Sequence, residues 1–131
     1  MEKKIITQED LQRFTGDLDR YRTINRSVIY TPGVAFLANH AEAYWLIDAI
    51  ASYFGSPVMN KALAKDPRLT LHFWRLDVSD DDSAVLTARA DKGEKPFITQ
   101  KIPFTDFPLD CVDIWAGYDG TYWTLYLPSE H

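Results

Sequence analysis

Residues 31–55 read TPGVAFLANHAEAYWLIDAIASYFG, and this stretch decides the fold because it predicts one long buried helix. Thr31 is placed to cap the free N–H groups of the first turn, and Pro32 suits the first helical position. Gly55 can adopt the left-handed conformation that ends a helix, and Pro57 blocks its continuation. The stretch therefore predicts a single helix between Thr31 and Gly55.

The apolar residues of this predicted helix fall on two nearly opposite faces when they are placed about 100° apart. One face carries Val34, Leu37, Ala38, Ala41, Trp45 and Ala49. The other face carries Phe36, Ala43, Ile47, Ile50 and Phe54. Two apolar faces need two packing partners, which we expect to be a sheet on one side and helices or another subunit on the other. A membrane span is excluded because Asp48 and other polar residues interrupt the run, and a central Asp costs about 2.5–3.5 kcal/mol.

Composition and charge narrow the class of protein. The 131 residues are 46% hydrophobic, which predicts one folded domain over residues 1–131. The net charge of −5 disfavours nucleic acid and anionic membranes as partners. Cys111 is the only cysteine, so no internal disulfide can form, and the first residues lack the apolar segment of a secretory signal. We therefore expect a cytoplasmic protein that is not attached to a membrane.

The chain changes once along its length, from helical to β patterns. Short helices are predicted from Gln8 to Phe14, ended by Gly16, and from Pro57 to the residue before Pro67. Strands are then predicted at Leu69–Val78, Val85–Ala90, Phe97–Ile102, Val112–Tyr118 and Thr121–Leu127. The Asp-Gly pair at 119–120 predicts a two-residue hairpin turn between the last two strands.

These elements together predict an α+β fold. Amino-terminal helices, including one long buried helix, are expected to pack on an antiparallel sheet of about five strands. A meander is the simplest strand order, and a Greek-key crossing at the loop Pro103–Pro108 is the alternative. Val28-Ile29-Tyr30 is either a further short strand or an extended lead into the long helix.

Several segments together resemble one known family. They are Phe14-Thr15-Gly16, Tyr21-Arg22, Ile29 to Val34, Ala43 to Ser52, Ser83 to Thr87, Ile102 to Leu109 and Leu127 to Glu130. The stretches AYWLID and TDFPL are fairly specific, and the resemblance spans nearly the whole chain. The family consists of small uncharacterised bacterial, phage and mobile-element proteins grouped as a domain of unknown function. The resemblance implies a stand-alone member and brings no catalytic mechanism with it.

A line of polar side chains separates the two apolar faces of the predicted long helix. His40, Tyr44 and Asp48 are each four residues apart, which places them in one row along a helix. An imidazole, a phenol and a carboxylate in a row can relay protons or hold a polar ligand. The alternative is a buried hydrogen-bond network that only satisfies polar groups in the core.

Arginines precede the start of the same helix. Arg20 and Arg22 come before Thr31, where free N–H groups and the helix dipole attract anions. Together they predict a phosphate-binding site, although no glycine-rich phosphate motif is present. The alternative is a solvated loop whose arginines pair with Asp17 and Asp19.

Metal and cofactor chemistry has little support in the sequence. The acidic run from Asp77 to Asp82 lacks the spacing of a calcium loop and predicts a solvated hairpin loop. His40, His72 and His131 are scattered without zinc spacing, so we expect no metal site. Nucleophile and cofactor motifs are also missing, and we expect no bound cofactor.

Aromatic residues surround the predicted hairpin near the end of the chain: Trp115, Tyr118, Tyr122, Trp123 and Tyr126. On the last predicted strand, Tyr122 and Tyr126 point to one face and Trp123 points to the other. Both faces are therefore apolar or aromatic, and the face away from the long helix needs a cover. That cover is a second copy, a partner protein or a ligand, or else the amino-terminal segment of the chain.

Three functions stay open. The first is a non-enzymatic protein-interaction module, such as a phage or mobile-element inhibitor of a host factor, that binds another protein or a second copy of itself. The second is a protein that binds a small ligand, for example a nucleotide, through Arg20, Arg22 or the start of the long helix. The third is an enzyme that uses His40, Tyr44 and Asp48. The acidic charge, the aromatic strands and the lack of catalytic motifs favour the first.

Overall fold

The computed structural model describes residues 6–13, 19–66, 69–91 and 93–131. Its helices are α1 (Gln8–Gln12), α2 (Pro32–His40), α3 (Tyr44–Tyr53) and α4 (Pro57–Lys65). Its strands are β1 (Tyr21–Arg22), β2 (Val28–Tyr30), β3 (Leu71–Val78), β4 (Ala84–Arg89), β5 (Ile98–Ile102), β6 (Cys111–Tyr118) and β7 (Trp123–Tyr126). A 3₁₀ turn at Pro128–Glu130 follows β7. The predicted α+β class is confirmed.

The caps that the sequence predicts for the short helices are present. Thr7 accepts a hydrogen bond from the Asp10 N–H, and the Asp10 carboxylate accepts one from the Thr7 N–H, which fixes the start of α1. Ser56 caps α4 in the same way, by accepting from the Met59 N–H. The predicted helix end at Phe14 and Gly16, and the predicted stop at Pro67, lie outside the described residues.

The prediction of one long helix is wrong, because the chain breaks between α2 and α3. Glu42 adopts a left-handed backbone with φ +51°, and it is exposed at the break. The buried side chains of α2 belong to the first predicted apolar face, and they are Val34, Leu37 and Ala38. The buried residues of α3 include Ile47 and Ile50 of the opposite face. A straight helix would point these two sets in opposite directions, whereas the break turns both of them into one core.

The sheet has seven strands in the order β1-β2-β7-β6-β3-β4-β5, and not about five. It is mixed, because β2 pairs with β7 in parallel while the other neighbours are antiparallel. The five predicted strands form its larger part, and β6 lies beside β3 instead of β5. This is the Greek-key order, with the crossing in the connection between β5 and β6.

The last hairpin forms, but with a longer turn than the predicted two residues. Tyr118 of β6 pairs with Trp123 of β7, which leaves four residues in the loop. The Asp119 carboxylate accepts hydrogen bonds from the N–H groups of Thr121 and Tyr122, at 2.8 and 2.7 Å. These bonds lower the pKa of Asp119, with the Tyr122 bond contributing most. The Asp119 side chain therefore stabilises a four-residue loop in place of the predicted two-residue turn.

The helices pack on one face of the sheet and form the core there. Alternate residues of β3 and β6 point into it and are buried, among them His72, Trp74, Leu76, Ile114 and Ala116. Tyr53 of α3 reaches across the core to Gln100 of β5, with a hydrogen bond of 2.7 Å. The side chains that alternate with these point to the other side of the sheet, which we call the open face. Among the described helices, none is long and apolar enough to cross a membrane.

Candidate binding surfaces

The break between α2 and α3 disrupts the predicted row of His40, Tyr44 and Asp48. His40 ends α2, where its Nδ1 lies 3.0 Å from the Phe36 carbonyl oxygen and its ring stacks on the Phe36 ring at 3.9 Å. Tyr44 begins α3 and is 50% exposed, and Asp48 is exposed one turn later. Within the described residues, no hydrogen bond joins these three side chains. They form neither a relay nor a buried network.

Tyr44 and Asp48 lie instead beside a pair of tyrosines at the edge of the sheet. Tyr21 of β1 and Tyr30 of β2 are paired across the strands, and their rings stack with centroids 5.5 Å apart. Burial raises the pKa of Tyr30, and electrostatic interactions with Tyr44, Tyr21 and Asp48 raise it further. A phenol with a raised pKa stays protonated at neutral pH, so Tyr30 can donate a hydrogen bond but is a poor general base.

The start of α2 holds an anion, and that anion is the chain's own Glu130. The Thr31 hydroxyl donates to Glu130 Oε1 at 2.6 Å, and the Gly33 N–H donates to Oε2 at 3.3 Å. The Leu127 N–H donates to Oε1 at 2.9 Å. A Cβ on Gly33 would lie 2.5 Å from Oε1, so only glycine admits the carboxylate this closely. The site predicted at Thr31 for an external phosphate is thus filled from within the chain.

Arg20 and Arg22 lie together in a groove on the β1 edge of the sheet, away from Glu130. The groove has a volume of about 640 Å³, and we call it the arginine groove. Its lining includes Arg20, Tyr21, Arg22, Ile24, Arg26 and Tyr122. The alternative prediction paired these arginines with Asp17 and Asp19. Asp17 lies outside the described residues. Arg20 donates a hydrogen bond to the backbone oxygen of Asp19 at 2.6 Å.

The five aromatic residues predicted as one interface separate into three places. Trp115 and Tyr126 point to the open face, where their rings meet edge to face at 6.2 Å. Tyr118 and Tyr122 are exposed at the end of the hairpin. Trp123 points the other way and is buried in the core. The prediction that aromatic residues occupy both faces of the last strand therefore holds for Trp123 and Tyr126.

Trp115 is the centre of an aromatic cluster on the open face. Its ring meets the rings of Phe73 and His131 nearly perpendicularly, with centroids 5.1 Å away in each case. Tyr126 stacks on His131 with an interplanar angle of 9°, and its hydroxyl lies 2.9 Å from His131 Nδ1. These rings fix one another by direct contact, and we call them the aromatic cluster. Phe73 was not among the predicted interface residues, because its contact with Trp115 depends on the pairing of β3 with β6.

Arginines border the aromatic cluster on the neighbouring strands. Arg75 forms ion pairs with Asp77 at 2.9 Å and with Asp113 at 3.1 Å, and the Asp77 hydrogen bond, with both negative charges, raises the pKa of Arg75. Arg89 donates to the Thr87 hydroxyl and to a backbone oxygen. A cleft of about 550 Å³ runs between these side chains and the aromatic cluster. The open face therefore carries fixed aromatic and guanidinium groups side by side.

His72, one of the three scattered histidines that were not expected to bind metal, is buried in the core. Its ring is fully buried and stacks on Trp123 at 4.8 Å, with Phe54, Trp74 and Phe97 around it. Neither ring nitrogen has a hydrogen-bond partner among the described residues. Burial lowers the pKa of His72 to about 4, so the ring is neutral at physiological pH.

The acidic run from Asp77 to Asp82 helps to stabilise the loop between β3 and β4. The Asp81 carboxylate accepts hydrogen bonds from the Ser83 N–H and hydroxyl, at 3.0 and 2.6 Å, and these bonds lower the pKa of Asp81. Asp77 is held by Arg75 on the open face. Over the described residues, no group of three or more histidine, cysteine, aspartate or glutamate side chains is arranged to hold a metal ion.

The fold defines a class of small α+β protein with helices on one face of a mixed sheet and an aromatic open face on the other. Residues 5–131 match the model of a family described as "Family of unknown function (DUF6876)". The chain therefore belongs to this family, as the resemblance of its motifs indicated. No curated protein matches the chain, and no solved structure does.

Proposed function

We propose that this protein is a non-enzymatic protein-interaction module and that the open face of its sheet is the docking surface. The observation that carries the proposal is the aromatic cluster, which lies on the side of the sheet opposite the helices. Trp, Tyr and Arg are the residue types that contribute most to binding at protein interfaces, and here Trp115, Tyr126, Arg75 and Arg89 lie in and around one cleft. Contacts among these side chains hold them in place before binding, which reduces the entropy lost on docking.

The charge of the open face favours an acidic protein as the partner. The outward side chains of strands β3 to β7 include three basic residues, which are Arg75, Arg89 and Lys101. They include two acidic residues, Asp77 and Asp113. The chain as a whole has a net charge of −5, so the open face has the opposite sign to the rest of the molecule. Such a difference orients an acidic partner toward this face and away from the others.

A second copy of the chain is a weaker candidate for the same surface. A two-fold dimer through the open face would bring together two copies of a patch with a net positive charge. Like charges across an interface are unfavourable. A phage or mobile-element inhibitor of a host factor is a narrower form of the proposal, in which the acidic partner is the host protein. An enzyme at His40, Tyr44 and Asp48 has less support, because the three side chains do not meet.

Capture of partners by matched variants tests the proposal. Purified wild type, Trp115→Ala, Arg89→Gln and the control Phe104→Ala are immobilised and exposed to lysate of the source organism. Phe104 is 71% exposed on the connection between β5 and β6, so the control removes an accessible aromatic side chain from a different place. Circular dichroism first establishes that every variant is folded.

We expect one acidic protein to bind to the wild type and to Phe104→Ala but not to Trp115→Ala. With the purified partner, Trp115→Ala should cost about 2 kcal/mol, or about thirtyfold in Kd. Arg89→Gln should weaken binding less, and most strongly at low salt. Equal binding by the Trp115→Ala and wild-type proteins would refute the open face as the docking surface. A concentration-dependent dimer that Trp115→Ala abolishes would replace the acidic partner with a second copy.

A further inference from the structure

We propose that the arginine groove binds a small phosphate-bearing ligand with a flat ring, about the size of a mononucleotide. The groove lies at the β1 edge of the sheet, on the loop that joins β1 to β2, and its observations are independent of the aromatic cluster. The inference goes beyond the proposed protein-binding function, because it assigns a second kind of ligand to a second place on the molecule.

The charge of the arginine groove points to an anion. Three guanidinium groups, from Arg20, Arg22 and Arg26, line the groove, and the described residues of its lining include no aspartate or glutamate. Within the described residues, Arg22 and Arg26 form no ion pair or side-chain hydrogen bond, so their donors face the groove or solvent. Guanidinium groups bind phosphate through paired, charge-assisted hydrogen bonds. A chain with a net charge of −5 would repel a long polyanion, whereas this local patch suits one or two phosphate groups.

The remaining lining residues suit a flat ring. Tyr21 and Tyr122 expose part of their rings in the groove, and Ile24 is 75% exposed beside them. Aromatic and aliphatic side chains of this kind stack on planar rings, and a nucleobase is one such ring. The volume of about 640 Å³ falls inside the usual range for small-molecule sites, about 300–1,000 Å³.

Hydrogen bonds fix the loop that carries part of the groove. The Thr23 hydroxyl donates to the backbone oxygens of Asn25 and Val28, at 2.8 and 2.9 Å. The Asn25 side-chain amide donates to the backbone oxygens of Ala51 and Phe54 at the end of α3. The loop is therefore tied to a helix of the core, so the groove residues are positioned before a ligand arrives.

Calorimetric titration with adenosine monophosphate, inorganic phosphate and adenosine tests the inference. The variants are Arg22→Gln with Arg26→Gln, and Tyr122→Leu, with Arg13→Gln as the matched control. Arg13 is an exposed arginine at the end of α1, and its loss removes one positive charge elsewhere, against two in the double variant. We expect saturable binding of adenosine monophosphate, weakened about tenfold or more by the double arginine variant and by added salt. Tyr122→Leu should weaken adenosine and adenosine monophosphate but not inorganic phosphate.

Three results would overturn the inference. One is the absence of saturable binding of adenosine monophosphate at 5 mM, on the order of the weakest useful affinity. Another is a loss of affinity for adenosine monophosphate in Arg13→Gln that equals the loss in the double arginine variant, which would show only a general effect of charge. The third is binding of a 5′-phosphorylated oligonucleotide at least about tenfold tighter than the mononucleotide, which would assign the groove to a nucleic-acid strand. None of these results depends on the open face, so the two proposals fail separately.

Discussion

Replacement of His72 by phenylalanine should stabilise the protein, and the gain should grow as the pH falls. The ring of His72 stacks on Trp123 at 4.8 Å inside an aromatic box, so a phenylalanine ring of similar size can occupy the same space. The two histidine nitrogens have no partner among the described residues, and phenylalanine removes them. A buried polar group without a partner costs about 1–3 kcal/mol, so the variant should already be more stable at pH 7.5.

The pH dependence follows from the lowered pKa of His72. The folded protein has a His72 pKa of about 4, whereas the unfolded chain has the ordinary value near 6.5. Between these values the unfolded chain binds a proton that the folded protein does not, so the stability of the wild type falls as the pH falls. At 1.36 kcal/mol per pH unit, the difference between the two pKa values sets the total loss at about 3.4 kcal/mol, of which about 2.5 kcal/mol falls between pH 7.5 and 4.5. His72→Phe does not undergo this loss.

Urea unfolding followed by tryptophan fluorescence measures both quantities. The free energies of unfolding of wild type and His72→Phe are compared at intervals from pH 7.5 to 4.5, and their difference should widen by about 2.5 kcal/mol. His131→Gln is the control, because it removes a histidine from the open face and leaves His72 in place. Parallel pH curves for wild type and His72→Phe would refute the reasoning, since they would mean that His72 is protonated equally in both states.

Two further substitutions test the local structure around the helices. Gly33→Ala should destabilise the protein by about 1–3 kcal/mol in thermal or urea unfolding, because the new Cβ would displace the Glu130 carboxylate from its hydrogen bonds to Thr31 and Leu127; unchanged stability would mean that Glu130 does not bind at the start of α2. Glu42→Gly should stabilise it by about 0.5–1 kcal/mol, because glycine adopts the φ of +51° without strain; a loss of stability would argue for a continuous helix there.

Local patterns in the sequence predicted many elements but not how they associate. The capping pair of Thr7 and Asp10, the cap at Ser56 and the five strands from β3 to β7 all depend on neighbouring residues, and they appear in the structure. The break at Glu42 does not follow from local propensity, because Ala41, Glu42 and Ala43 are all good helix formers. The break is explained by burial of apolar side chains, which overrides local propensity. The two opposite apolar faces could reach one core only if the helix was interrupted.

The candidate sites were harder to predict because they join distant parts of the chain. Glu130 reaches Gly33 across 97 positions, and nothing near Thr31 in the sequence indicates that an internal carboxylate fills the start of α2. The aromatic cluster exists because the Greek-key crossing places β6 beside β3, which brings Trp115 next to Phe73. A meander would have separated them, so the open face could be recognised only from the strand order.

Photo-crosslinking from defined positions tests the docking surface most directly. Thr99 is exposed on β5 and points to the open face, and Ser52 is exposed on α3 on the helical side. Each is replaced in turn by p-benzoylphenylalanine, and the protein is irradiated in cells of the source organism. The account predicts one dominant adduct with an acidic protein from position 99 and none from position 52, and the Trp115→Ala substitution should abolish it. An adduct with the same partner from position 52 alone would contradict the account.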